Sequence, residues 1–174
     1  NAIKESSYRI AAALKNNGYA MPGKKITINM APADLRKEGS AYDLTLAIGI
    51  LIASSQIKGD EIDRYIIMGE LSLDGSLQPI RGALPIAIKA KEEGFKGFFL
   101  PKQNVNEAAI VSDLEVYGVT NIQEVINYRN VVTLLDELMV KRGGYDKGML
   151  LDIHRLTVDR IIAPEKVGAF RLTE

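Results

Sequence analysis

The sequence contains no cysteine and a single histidine. The missing cysteine excludes disulfides, cysteine-ligated zinc or iron–sulfur centres and thiol catalysis, and one histidine excludes a site built from several His ligands. The charges balance, with 22 Lys+Arg against 22 Asp+Glu, which argues against a nucleic-acid binder held by bulk charge but leaves room for a local basic patch. No apolar run reaches the ~18 residues of a membrane-spanning helix. Together with the lack of an export signal, these absences favour a cytoplasmic protein with no membrane partner.

What is present is an ordinary globular composition in 174 residues, 47% of them hydrophobic, which suits one domain or one domain with an appendage. Hydrophobic periodicity and turn residues predict alternating helices and strands, and hence an α/β (α+β) fold class. In chain order the predicted elements are helix 2–17, strand 26–30, helix 42–56, strand 64–69, hairpin 70–78, helix 82–93, strand 98–100, helix 104–110, strand 115–119 and helix 121–128.

Helix 42–56 is apolar on nearly every side, so we expect it to be the most buried helix. We expect it to pack on a mixed sheet that includes 26–30, 64–69 and 98–100. The dipeptide Asp74-Gly75, flanked by alternating residues, is a strong hairpin signal.

Residues 130–174 differ from the rest because they show two helical patterns and no clear strand. We therefore predict a first domain over 1–129 and a helical C-terminal extension over 130–174, with a soft boundary near residue 129 or 143. The stretch from Gly18 to Lys25 nearly spells a phosphate-binding loop, but a helix precedes it and a strand is predicted after it, which is the wrong order. We expect no ATP binding there.

The loop that enters helix 42–56 contains Ser40 and Asp43, and two interpretations are open. Ser40 is a candidate nucleophile if a lysine serves as its base. Alternatively, Ser40 or Asp43 caps the helix by accepting backbone N–H groups of its first turn. In either case Asp43 lies at the positive end of a helix dipole, where an ionised carboxylate is stabilising.

Two stretches, Ile26–Leu51 and Met68–Phe95, together with the opening segment 4–19, resemble the N-terminal domain of the ComM-type, magnesium-chelatase-like (ChlI-type) AAA+ ATPases. The resemblance covers roughly residues 1–128. It implies a domain related to the Lon protease proteolytic domain, with the ribosomal protein S5 domain 2-like fold. Members of this family are hexameric ATPases associated with DNA uptake and branch migration. The resemblance thus implies an AAA+ ATPase domain as partner, and places ATP and magnesium in that domain, with no cofactor in this chain.

The resemblance to Lon extends to two catalytic positions. When Gly69-Glu70 is matched to the Gly-Glu of Lon, counting without gaps puts the nucleophile position on Asp43 and the lysine position on Ile86. Neither side chain can replace a serine–lysine dyad, since isoleucine takes no proton and a carboxylate does not attack as an alkoxide does. The resemblance therefore implies a degenerate protease site and no catalytic residue. With a gap, Ser40 and Lys89 are the alternative dyad.

The leading hypothesis is therefore a non-enzymatic module that assists assembly or substrate engagement by an AAA+ motor. The alternative is an active Lon-like serine peptidase that uses Ser40 with a lysine. A third hypothesis is a DNA-contacting module, for which the candidate contacts are Lys24, Lys25, Arg36 and Lys37.

Self-association is also expected. The resemblance places strands before residue 1, and without them segments 26–30 and 70–78 would leave an unpaired sheet edge. We expect a dimer or larger homo-oligomer that forms through such an edge or through the C-terminal helices.

Overall fold

The computed structural model describes residues 2–29, 39–59, 61–128, 130, 152, 156 and 157. The chain divides into two compact units, Asn1–Ile122 and Gln123–Glu174. The helices predicted beyond residue 130 lie almost entirely outside the described residues. The predicted boundary near residue 129 or 143 stays a prediction.

The first unit alternates helices and strands and confirms the α/β class. Residues 122–128, where the two units meet along the chain, are also helical, and two short 3-10 turns, Ile62–Arg64 and Lys102–Asn104, precede β1 and α4. The helices and strands are α1 Ala2–Asn16, α2 Asp43–Ala53, β1 Tyr65–Ile67, β2 Glu70–Leu71, β3 Leu77–Gln78, α3 Ala83–Glu92, β4 Gly97–Pro101, α4 Val105–Ala108 and β5 Glu115–Val119.

The main sheet has three parallel strands in the order β1-β4-β5, with Ile66 opposite Phe98 and Phe98 opposite Val116. A separate antiparallel pair is formed by β2 and β3, with Glu70 opposite Gln78. The prediction of one mixed sheet is therefore wrong. The main sheet is parallel because helical crossovers, α3 and α4, connect its strands, whereas the tight hairpin turn can join only antiparallel strands.

Alanines on α3 bring that helix close to one face of the main sheet. Ala83, Ala87 and Ala90 share one helix face and are buried in a core cluster with Phe98 and Leu100. Small side chains at these spacings let the helix backbone approach the large side chains of β4. The result is a dry layer between α3 and the sheet.

Helix α2 confirms the expectation of burial, since it has more buried residues than any other helix in the described part of the chain. It packs mainly against α1 and the β2 strand. The hydroxyl of Thr45 also donates to the carbonyl of Ile67 at the end of β1. Only a narrow stripe along α2, formed by Thr45, Gly49 and Ala53, is exposed. None of the described helices is long and apolar enough to cross a bilayer.

The predicted strand 26–30 is wrong for the residues that the structure describes. Residues 24–29 form no strand, and Ile26 and Ile28 are 37% and 43% exposed, while Met30 lies outside the described residues. Beta-branched side chains favour strands only where a neighbouring strand and a packed face exist. Within the described chain, this segment has neither.

The hairpin predicted at Asp74-Gly75 is confirmed and is fastened to α1. The Asp74 carboxylate accepts hydrogen bonds from the backbone N–H and the hydroxyl of Ser76, at 2.9 and 2.7 Å. These bonds, the backbone one foremost, hold the pKa of Asp74 below its ordinary value. From α1, the side-chain amides of Asn16 and Asn17 donate to the carbonyls of Leu73 and Asp74, at 2.8 and 2.9 Å.

Substitution of Gly75 by alanine should destabilise the domain. Gly75 has φ +89°, and an added Cβ would lie 2.1 Å from Nδ2 of Asn17, whose hydrogen bonds would be lost. Gly94 is the matched control because it has φ +76° but open space around the added Cβ. We expect Gly94→Ala to cost about 1 kcal/mol and Gly75→Ala at least about 1 kcal/mol more, measured by urea unfolding. Equal costs for the two variants would contradict the role given to Asn17.

Candidate functional site

The first residue of α2, Asp43, is the centre of a buried polar cluster, and its exposure is 1%. The hydroxyl of Ser6 donates to Oδ1 of Asp43. Arg9 donates through Nε to Oδ2 at 2.7 Å and through Nη2 to Oδ1 at 3.2 Å. Ser6 and Arg9 are three residues apart on α1, so they lie on the same face of that helix. The carboxylate is thus held by a two-pronged guanidinium contact and a hydroxyl.

Backbone hydrogen bonds fix the same helix end beside the hairpin. The N–H of Leu44 donates to the carbonyl of Gly69 at 3.0 Å, and the N–H of Gly69 donates to the carbonyl of Ala41 at 2.8 Å. An added Cβ at Gly69 would lie 2.9 Å from Cδ2 of Leu77, so the leucine side chain would have to shift to admit it. The Gly69-Glu70 pair, which carries the resemblance to Lon, is therefore held next to Asp43.

The capping interpretation of the loop is wrong. The residue that caps α2 is Tyr42, and this helix end forms no side-chain cap hydrogen bond. The Asp43 carboxylate turns instead toward α1, because the Arg9 guanidinium offers a stronger, charge-assisted partner than a backbone N–H. The N–H of Asp43 is satisfied by the carbonyl of Ser40 at 3.0 Å.

The Arg9 guanidinium and the Asp43 carboxylate form an ion pair. The hydrogen bond to Asp43 is the largest of the effects that raise the pKa of Arg9 above its ordinary value, and the charges of Glu70 and Glu5 act in the same direction. The Arg9 side chain is 26% exposed, while that of Asp43 is 1% exposed. Both carboxylate oxygens are occupied and water is largely excluded. The arrangement can anchor α1 to α2, but it leaves no free oxygen for a substrate.

Ile86, the position matched to the Lon lysine, lies on α3 and is partly buried against the core cluster of that helix. Ala41, two residues before Asp43, packs against the same cluster. Ile86 and the loop residue Ala41 thus pack against one hydrophobic core. The slot matched to the proton-transferring lysine holds only hydrocarbon.

The alternative dyad gains no support from the surroundings of Lys89. Its side chain is 65% exposed, with Nζ 2.7 Å from Glu93 and 3.4 Å from Glu92. The hydrogen bond to Glu93 is the main cause that raises the pKa of Lys89. A general base needs a lysine pKa lowered toward neutrality, so this shift is in the wrong direction. Ser40 is only partly buried, and Lys89 remains tied to its own helix.

Of the four candidate DNA contacts, Lys24 and Lys25 are exposed. They line an open groove of about 830 Å³, between residues 20–27 and the C-terminal end of α2. Arg36 and Lys37 lie outside the described residues. Within the described residues, no cluster of three His, Asp or Glu side chains could hold a metal ion.

The partners of Asp43 were missed by sequence reasoning. Ser6 and Arg9 flank the buried apolar face of α1, beside Ile10 and Ala13. Polar residues on such a face are a signal of a buried polar contact. The sequence does not show which residue, 34 positions further along the chain, satisfies Arg9.

Removal of the arginine should destabilise the domain strongly. Arg9→Met leaves the Asp43 carboxylate buried without its cation, and breaking such a pair costs about 3–5 kcal/mol. We expect a loss near about 3 kcal/mol, because the Arg9 side chain is partly exposed. Arg64→Met is the control, since the pair of Arg64 with Glu61 is exposed and should be worth less than about 1 kcal/mol. Urea unfolding that shows similar losses for both variants would refute the anchoring role.

A family model described as "Subunit ChlI of Mg-chelatase" matches residues 1–104. The competence protein ComM of Haemophilus influenzae is 40% identical over 128 residues, which cover 74% of this chain and 25% of that protein. The uncharacterized protein YifB of Escherichia coli is 44% identical over 110 residues, 63% of this chain and 22% of that protein.

A weaker similarity connects the chain to a protease. Lon protease 2 of Bacillus subtilis is 28% identical over 158 residues, which cover 89% of this chain and 26% of that protein. The chain thus spans about a quarter of the length of the curated relatives that it matches.

Proposed function

Because the chain belongs to the family of the ChlI subunit of Mg-chelatase, we propose that it serves an AAA+ ATPase as a Lon-like domain that has lost peptidase activity. In this role it helps the ATPase to assemble or to engage its substrate, DNA or protein. ATP and magnesium belong to the ATPase domain of the parent protein. The S5 domain 2-like topology is part of the same proposal.

The observation that carries this proposal is the state of Asp43. This residue stands at the position that the Lon resemblance assigns to the nucleophile, and its two carboxylate oxygens are bonded to Ser6 and Arg9. A buried carboxylate whose oxygens are both bonded does not attack a peptide carbonyl as a serine alkoxide does. Ile86, at the lysine position, packs against the core. Both changes convert a reactive site into a structural contact.

The alternative function is a serine peptidase that uses Ser40. It requires a neutral lysine amine next to the Ser40 hydroxyl. Lys89 is instead paired with Glu92 and Glu93 at the C-terminal end of its own helix, and its pKa is raised. The geometry therefore favours the non-peptidase role.

The purified chain should cleave neither casein nor fluorogenic peptides, and a fluorophosphonate probe should not label it. The proteolytic domain of Lon protease 2 serves as the positive control. Ser40→Ala should match wild type, as should Ser112→Ala, a control at an exposed serine. Hydrolysis or labelling that Ser40→Ala abolishes and Ser112→Ala retains would establish the peptidase instead.

The DNA arm of the proposal is tested by fluorescence anisotropy with single-stranded DNA between 50 and 200 mM salt. Two phosphate contacts by Lys24 and Lys25 should give a slope of log affinity against log salt of about −1.4. The double variant Lys24→Ala/Lys25→Ala should lose this dependence. The control pair Lys58→Ala/Lys102→Ala, also at exposed lysines, should keep it. If the two double variants bind alike, DNA engagement through Lys24 and Lys25 is refuted and protein substrates remain.

A further inference from the structure

Two chemically labile dipeptides meet where the C-terminal end of α1 contacts the hairpin turn. Asn17-Gly18 is the only Asn-Gly pair in the sequence, and Asp74-Gly75 is the only Asp-Gly pair. The side-chain amide of Asn17 donates to the carbonyl of Asp74 at 2.9 Å and to the carbonyl of Ala13 at 2.8 Å. Asparagine is one of the thermolabile residues of proteins. This contact therefore depends on an amide group that stands next to a glycine, where it is most exposed to chemical loss.

The reaction at Asn17-Gly18 needs only the chain itself and water. The backbone nitrogen of Gly18 loses its proton to solvent hydroxide and attacks Cγ of Asn17, and the side-chain nitrogen takes a proton from water and leaves as ammonia. The product is a five-membered succinimide ring. Water then opens the ring at either carbonyl and gives aspartate or isoaspartate, so the net change exchanges one water for one ammonia. Glycine favours ring closure because it has no side chain to shield its nitrogen.

The folded contact restrains this reaction. The N–H of Gly18 donates to the carbonyl of Lys15 at 3.1 Å, and the N–H of Tyr19 donates to that of Leu14 at 2.9 Å, so the attacking nitrogen lies in a hydrogen-bonded helix end. Ring closure requires the Asn17 side chain to swing away from both of its carbonyl partners and Gly18 to leave its own bond. The reaction therefore waits for the contact to open, and its rate in the folded chain is scaled by the open fraction.

The Asp-Gly pair on the other side of the contact is held in an unreactive state. Ring closure at an aspartate requires the neutral acid, because the departing oxygen has to leave as water. The hydrogen bonds that Ser76 donates, the backbone one foremost, hold the pKa of the Asp74 carboxyl below its ordinary value. The N–H of Gly75 is also occupied, since it donates to the carbonyl of Ser72 at 2.9 Å. Asn17 is therefore the reactive residue of the contact.

We propose that Asn17 is a deamidation site, at which one chemical event permanently releases the hairpin from α1. The amide donates to two carbonyl oxygens, whereas the carboxylate that replaces it has only acceptors. It would face the carbonyls of Ala13 and Asp74, and it would place a negative charge at the negative end of the α1 dipole. The closed contact thus protects Asn17, and an opening that ends in reaction prevents the same bonds from forming again.

The restraint is tested by ageing the full chain at mildly alkaline pH and following the tryptic peptide 16–24 by mass spectrometry, with fragmentation to distinguish Asn17 from Asn16. Deamidation of Asn17 should be at least ~10-fold slower in the folded chain than in the urea-unfolded chain, because the contact must open first. Gly75→Ala crowds Nδ2 of Asn17 and should raise the rate in the folded chain at least ~3-fold. Gly94→Ala, with open space around its added Cβ, should leave the rate unchanged. Equal rates in folded and unfolded wild type, or in the two glycine variants, would refute the restraint.

The release is tested by hydrogen exchange of the backbone amides in residues 72–77. Asn17→Asp carries the product side chain and should exchange there at least ~10-fold faster than wild type, while α3 keeps its protection. Asn106→Asp makes the same charge change at an exposed residue and should exchange as wild type does.

Wild type that has been aged until Asn17 is deamidated gives the same measurement without a substitution, and it replaces the variant if Asn17→Asp does not fold. Faster exchange confined to the hairpin supports the release. Unchanged protection of residues 72–77 in the aged chain would overturn it. A loss of protection that extends to α3 would overturn it as well, because the modification would then unfold the domain and not release the hairpin alone.

Discussion

The contact between Arg9 and Asp43 is the interaction on which the arrangement of the first unit depends. It joins the first helix of the described chain to the most buried one, across 34 residues of sequence. The carboxylate is almost fully buried, so it is tolerated only while the guanidinium and the Ser6 hydroxyl satisfy it. A buried pair contributes little net free energy compared with apolar packing, but loss of one partner is costly. The contact therefore specifies where α1 must lie more than it adds stability.

Helix α1 also contacts the hairpin. Arg9, in the middle of α1, bonds to Asp43 of α2. Asn16 and Asn17, at the C-terminal end of α1, donate hydrogen bonds to the hairpin turn. Gly69 connects the two regions because its backbone bonds to both Ala41 and Leu44. The residues around Asp43 thus form one connected set of contacts with α1 and the hairpin. Within this set, both oxygens of the Asp43 carboxylate accept hydrogen bonds from α1.

Sequence patterns correctly predicted the elements whose conformation depends on residues close together in the sequence. The positive φ of Gly75 and the side chain of Asp74 are enough to specify the hairpin, and the apolar length of 42–56 is enough to specify a buried helix. The strand predicted at 26–30 was wrong because an alternating, β-branched sequence favours a strand only where a neighbouring strand is present. The partner is a property of the rest of the fold or of another chain. The parallel orientation of the strands in the main sheet was missed for a similar reason, since it depends on the path of the helical connections between them.

Sequence reasoning singled out Asp43 but not the residues that bind its carboxylate. The resemblance to Lon picked out Asp43 and Ile86, which carry a carboxylate and a hydrocarbon side chain at the positions matched to the Lon serine and lysine. The partner of Asp43 could not be predicted, because Arg9 lies 34 residues away in the sequence and the two side chains meet only where α1 packs against α2. The lysine of a working dyad must be neutral in a dry pocket, a state that destabilises the fold. Here the nucleophile position carries a charge that is neutralised by Arg9, and the lysine position carries a hydrocarbon side chain in the core. Neither position therefore carries an unpaired buried charge, and the pair of Arg9 with Asp43 fixes α1 against α2.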